Sequence, residues 1–216
     1  MIPRRGLLST AASVCVARAA RAQPAVPEDD RRTFRIVRNG SAIGMHVLTF
    51  ARAGDGLDIR IAVDIAIGFG PITLFRYTLR GLEQWRDGAV VHLDATTDND
   101  DKPEQMRADR DARGLWVEGS KAARYLAPAD ALPATHWNMA ELNASWVNPQ
   151  DGRLLHPVVQ RVGEEAMALP NGRMEAATHY TLTGDAKLDI WYDAAHQWSA
   201  LSFVARDGSL VRYELT

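Results

Sequence analysis

Of the side chains able to carry chemistry at neutral pH, six histidines stand out first, and no two share a His-x-x-x-His spacing. A Gly-x-Ser-x-Gly nucleophile elbow does not occur either. His136, followed by Trp137 and Asn138, is the best single candidate. An imidazole there could act as a base or a ligand, or could hydrogen-bond a loop at the start of a helix. The acidic cluster Asp98, Asp100, Asp101 and Glu104 offers oxygen ligands. It lacks the glycine and terminal glutamate of a calcium loop, so it reads as a solvated turn. Glu83 and Asp189 could pair as two carboxylates, but strand alternation reads both as outward-facing charges.

Aromatic residues suggest a second chemistry, the binding of an apolar body. Trp85, Trp116, Trp137, Trp146, Trp191, Tyr192 and Trp198 recur along the chain. Leu188, Ile190 and Tyr192 fall on one strand face and Trp191 on the other. A curved sheet closed by a helix buries one such set inside. Either the interior is a packed core, or it keeps an unfilled cavity because one short helix is too small to plug it. In the cavity reading His136, Trp137, Asn138, Trp191, Tyr192 and Trp85 are the expected ligand-binding residues. Tryptophan and tyrosine suit the head-and-tail boundary of an amphiphile.

The elements that must position these residues follow from the rest of the chain. With 216 residues, 46% of them apolar and 24% charged, it has the makings of one domain with a proper core. The net charge of −2, with no basic face, argues against a nucleic-acid partner. Arg4-Arg5, a weakly apolar run from Ser9 to Ala17, and Ala20-Arg21-Ala22 read as an export signal. The paired arginines point to the twin-arginine route, with an ordinary secretory signal as the alternative. Cleavage after Ala22 leaves Gln23 first and predicts a periplasmic protein, with no remaining run long enough to span a bilayer. Loss of four arginines and no acid takes the charge from −2 to −6. It also removes Cys15, the only cysteine, and with it thiolate metal sites and disulfides. No motif implies a cofactor or a metal.

A linker over residues 23–32 leads to a single β domain over 33–216. Asn39-Gly40 is a strong hairpin signal between Phe34–Arg38 and Ile43–Ala53. In Leu57–Ile67, Ile59, Ile61, Val63, Ile65 and Ile67 share one face and polar or small residues the other. Further strands are expected over Ile72–Trp85, Ala89–Thr97, Glu104–Asp111, Leu115–Glu118 and Met174–Thr183. Gly184 to Leu215 reads as a three-stranded meander. The fold class is therefore all-β, a single strongly curved antiparallel sheet or open barrel of about 10–12 strands. One segment departs from the pattern. From Met139 to Val147 a short helix is expected, with Asn138 as its cap, Glu141 completing a capping box, and Met139, Leu142 and Trp146 on one stripe.

Several short stretches, in order, resemble those of a proteobacterial exported family, domain of unknown function 6134. They are Asn39-Gly40 with Ile43-Gly44, Glu83-Gln84-Trp85, Thr96-Thr97-Asp98-Asn99, Thr135-His136-Trp137-Asn138, Asp189-Ile190-Trp191-Tyr192-Asp193 and Asp207-Gly208-Ser209. The resemblance implies no activity. More loosely, the pattern is similar to periplasmic half-barrels of the lipoprotein-carrier type, in which a curved sheet wraps a helix. The expected function is non-catalytic binding of a lipid or other apolar or amphipathic molecule. The alternative is a structural or assembly factor meeting another envelope protein. An enzyme acting through His136 and a carboxylate comes third.

Overall fold

The computed structural model describes residues 26–69, 72–169 and 172–216; the expected export signal lies outside them. Eight strands follow one another from the start: β1 (Arg31–Arg38), β2 (Ser41–Ala53), β3 (Gly56–Phe69), β4 (Ile72–Arg86), β5 (Ala89–Asn99), β6 (Pro103–Asp111), β7 (Gly114–Gly119) and β8 (Ala122–Leu126). Arg31 and Arg32, read from sequence as the end of a linker, already belong to β1. After an irregular segment holding β9 (Leu132–Pro133), β10 (Trp146–Val147) and β11 (Leu154–Leu155), five more complete the chain. They are β12 (Pro157–Ala168), β13 (Met174–Gly184), β14 (Leu188–Asp193), β15 (Trp198–Val204) and β16 (Leu210–Leu215).

Thirteen of these strands form one sheet in the order β12-β13-β14-β15-β16-β1-β2-β3-β4-β5-β6-β7-β8. Every neighbour is antiparallel, and all but β16 beside β1 are also consecutive in sequence. The sheet does not close: β8 and β12 remain its edges. The chain itself bridges that gap, because the segment 127–156 runs from one edge to the other. Gly119 lets this crossing segment touch the sheet, since a Cβ there would lie 2.3 Å from the Asp151 carbonyl oxygen.

Register decides what faces inward. Phe34 pairs with His46, His46 with Val63, Val63 with Leu79, and Leu79 with Thr97. Paired residues share a face, so one continuous inner surface runs across five strands. The isoleucine-valine alternation of β3 lies on it, with Ile59, Ile61 and Val63 buried. Asn39 and Gly40 both take positive φ, as a two-residue hairpin turn requires.

The predicted helix is shorter than expected. A 3-10 helix covers Met139–Asn143, and Ala144 is already extended at φ −127° and ψ 158°. Trp146 lies instead in β10, between β9 and β11. The helical stripe was real only for its first turn. Beyond it, parallel pairing of Trp146 with Leu132 and antiparallel pairing with Leu155 outweigh the helical preference of a few residues. Asn138 does cap this helix, its Oδ1 accepting from Ala140 N at 3.1 Å. The whole segment forms a plug on the concave side, with Ala131, Trp137, Leu142, Trp146 and Val147 in the shared core.

Candidate functional site

The plug's central residue is His136, and an unusual share of the surrounding chemistry is devoted to holding it. Its backbone is left-handed, at φ 70°, a conformation that side chains other than glycine adopt at a cost. Glu141, five residues on and 1% exposed, clamps it twice. Oε2 of Glu141 accepts from the His136 backbone N–H at 3.0 Å, and Oε1 lies 2.7 Å from Nδ1. In a capping box this glutamate would reach the Asn138 N–H. Here it reaches past the cap to His136. Tyr192, from β14, donates its hydroxyl to the His136 carbonyl at 2.9 Å and lies 3.3 Å from Glu141 Oε1. Burial, with Glu141 close by, keeps that phenol protonated by raising its pKa well above the ordinary value. Trp146 and Trp198 both meet the imidazole edge-on at 5.5 Å.

Glu141 Oε2 thus receives an obligate backbone donor, and its Oε1 faces the imidazole Nδ1. An acceptor oxygen opposite Nδ1 favours the tautomer with its proton on Nδ1. Nε2 has no hydrogen bond among the described residues. It is the nitrogen a ligand would meet.

Above the plug lies a cavity of about 870 Å³, within the range of small-molecule sites. His136, Thr135 and Ala134 form its floor. Ile61, Val63, Leu79, Leu201 and Val211 form walls, and Ile67, Phe75 and Phe203 carry the apolar lining upward. The rim is polar: Arg38, Asn99, Gln150, Arg206 and Asp207 gather where strand-connecting turns meet. Arg38 is committed to Asp207 and to Ser209, whose hydroxyl accepts from its Nε at 2.8 Å. Hydrogen bonds from Ser209, then Arg38, hold the Asp207 carboxyl below its ordinary pKa.

His46 joins this wall from β2. It is 6% exposed, it packs edge-on against Phe34, Trp198 and Tyr213, and its Nε2 is buried without a partner. Burial first, and nearby His136 second, lower its pKa to about 3, so its ring is neutral.

A second buried acid lies behind the floor. Glu83, expected to face outward, is fully buried on the inner face. Its Oε2 accepts from the indoles of Trp85 at 2.9 Å and Trp137 at 3.0 Å. Oε1 makes no well-formed hydrogen bond. Burial pushes its pKa up, against hydrogen bonds that favour the charged form, and Glu141 adds to the rise. The error in the sequence reading was one of parity. Glu83 shares its face with Leu79 and Trp85, both of which are core. Asp189 does lie outside, 2.9 Å from His179 on the convex face.

Of the six residues expected from sequence, only His136 lines the cavity. Tyr192 is brought to it as a support. Trp85 and Trp137 pack together at 5.3 Å beneath it, tied through Glu83. Asn138 serves the helix cap. Trp191 stands apart on the convex face, stacked on His179 at 4.3 Å and bonded to Glu165 at 2.9 Å. Sequence reasoning missed His46, Glu141 and the apolar wall as site components. The wall was legible as one face of β3. His46 was legible only as an interruption of the inner alternation in β2.

Among the described residues no three metal-ligating side chains converge, and no serine or threonine hydroxyl bonds His136. The arrangement provides a fixed hydrogen-bond acceptor at the bottom of an apolar space.

Comparison with known proteins places this architecture. No curated protein matches the sequence. Among solved structures the chain is similar to the crystal structure of a beta-barrel-like protein of domain of unknown function DUF1849 from Brucella abortus. The TM-score is 0.58 at 9% identity, covering 86% of this chain and 95% of that one. At that identity the likeness concerns the fold alone. Residues 34–216, nearly the whole described sheet and its plug, match the domain of unknown function DUF6134. The chain belongs to the DUF6134 family.

Proposed function

We propose that this is an exported, periplasmic protein that binds an apolar or amphipathic small molecule in the concave cavity without transforming it. The observation that carries this reading is the open, apolar-walled space of about 870 Å³ above the plug. A core packed to ordinary density leaves no such volume. The basic, alanine-rich N-terminus supports export. No helix among the described residues is long and apolar enough to cross a membrane.

The test uses the full chain expressed in a bacterium. Periplasmic protein beginning at Gln23 should take up the fluorescent apolar probe N-phenyl-1-naphthylamine with a rise in its emission. Ala205→Trp, which places an indole in the upper cavity, should abolish uptake while leaving the melting temperature within a few degrees. Uptake unchanged in that variant would mean the probe sits elsewhere, and no uptake by the natural chain would remove the reading.

A further inference from the structure

The cavity has two unlike ends, and they differ in the ligand chemistry each would accept. At the rim, Arg38 and Arg206 offer cationic groups, Arg38 already engaged by Asp207. At the floor there is no arginine or lysine among the lining residues. Two imidazoles stand there instead, with the buried carboxyls of Glu141 and Glu83 behind them.

An anionic head at the floor would be buried beside the carboxyls of Glu141 and Glu83 with no arginine or lysine to pair it, which is costly. A purely apolar end would leave the His136 Nε2 unmet and forfeit a hydrogen bond. A hydroxyl satisfies both constraints, because it is uncharged and donates its proton to a nitrogen acceptor. Two features hold this acceptor in place, the left-handed backbone of His136 and the double clamp by Glu141, and the buried, partnerless Nε2 of His46 belongs to the same cavity. The neutral ring of His46 adds a second uncharged polar group and no charge for an anion.

We infer that the cavity takes a lipid alcohol, polar end first, with the ligand hydroxyl donating to His136 Nε2 and the hydrocarbon extending toward the rim. This rests on the binding reading above and narrows it to a substrate class and an orientation. Glu141 and Tyr192 are positioning residues here. They fix the tautomer and rotation of His136 and do not touch the ligand.

Three probes sharing one hydrocarbon separate the possibilities: retinol, retinyl methyl ether and retinoic acid. Each is titrated into the purified mature protein, following tryptophan quenching and, for retinol and the ether, polyene emission. Retinol should bind about tenfold more tightly than the ether, the value of one hydrogen bond. It should also outcompete the acid. His136→Asn keeps a side chain tolerant of the left-handed backbone and should bring retinol down to the ether's affinity. Glu141→Gln should do so partially, with the ether unaffected. Because the probe series on the natural chain needs no variant, a misfolded His136→Asn would leave the test intact. Equal affinity for retinol and the ether would overturn the hydroxyl assignment. Tightest binding of retinoic acid, lost in Arg206→Ala, would mean tail-first entry with the head at the rim, and would also overturn it. Either of those outcomes leaves the binding function standing, whereas failure of all three probes to bind would remove both.

Discussion

At the scale of single residues, the interior carries two titratable groups shifted in opposite directions, and they predict opposite pH behaviour. His46 has an ordinary pKa of 6.5 and a folded value of about 3. Below pH 6.5 the unfolded chain takes up a proton that the folded chain refuses. Stability is therefore present above 6.5 and lost progressively as the pH falls toward 3. By pH 5 the loss is about 2 kcal/mol. His46→Phe, which keeps an aromatic against Phe34 and Trp198, should remove that part of the acid limb in a pH series of urea melts. An acid limb identical to that of the natural chain would show that the ring is solvated when folded. Glu83 runs the other way. Its folded pKa is raised, so its contribution is intact below the ordinary value of 4.5 and declines as the pH rises above it. Glu83→Gln keeps an acceptor for both indoles without the titration. It should match the natural chain at pH 4 and exceed it at pH 8. Glu83→Ala should instead lose stability at every pH, because two buried indole N–H groups lose their acceptor.

At the scale of elements, strands were legible from sequence wherever alternation met a turn signal. β3 and β4 are the clearest case, because six paired positions from Leu57–Trp85 to Ile67–Phe75 put bulky side chains on one face, with Glu83 and Gly81 as the exceptions. The plug was legible as a segment that departs from the strand pattern and packs a short helix on the sheet, but its own strands were not. β9, β10 and β11 are two residues each, and they pair only with one another across the insertion. Trp137 meets Glu83 from 54 positions away, a contact that no local pattern announces. β8 was missed for a related reason: three of its five residues are exposed and its pairing with β7 shifts register. Within the meander, parity separates two tryptophans that sequence alone treats alike. Trp198 is 1% exposed, 3.9 Å from Phe34, and donates to the Ala200 carbonyl. Trp191 is half-buried on the convex face. Trp198→Ala should cost about 3–5 kcal/mol and Trp191→Ala under half of that. Equal losses in denaturant titrations would contradict the assignment of faces.

At the scale of the whole molecule, one arrangement follows from the sheet's being open. Thirteen strands curl around an interior larger than their own inward side chains fill, and the chain crossing between the edges occupies only part of it. Had the edges paired, the interior would have had no plug, and His136 no clamp. The all-β class and the strand-by-strand order came directly from the residues. The cavity did not, because its existence depends on how far a 30-residue insertion penetrates, and that is set by packing of Trp137 and Trp146 against distant strands. The central claim is that an apolar ligand sits between the plug and the rim. Methyl NMR of isoleucine-, leucine- and valine-labelled protein titrated with dodecanol reads this directly. The account predicts shifts for Ile61, Val63, Leu79 and Leu201, which line the cavity, and none for Val158 or Val162 on the exposed outer edge. Shifts confined to Val158 and Val162, or none at all, would contradict it.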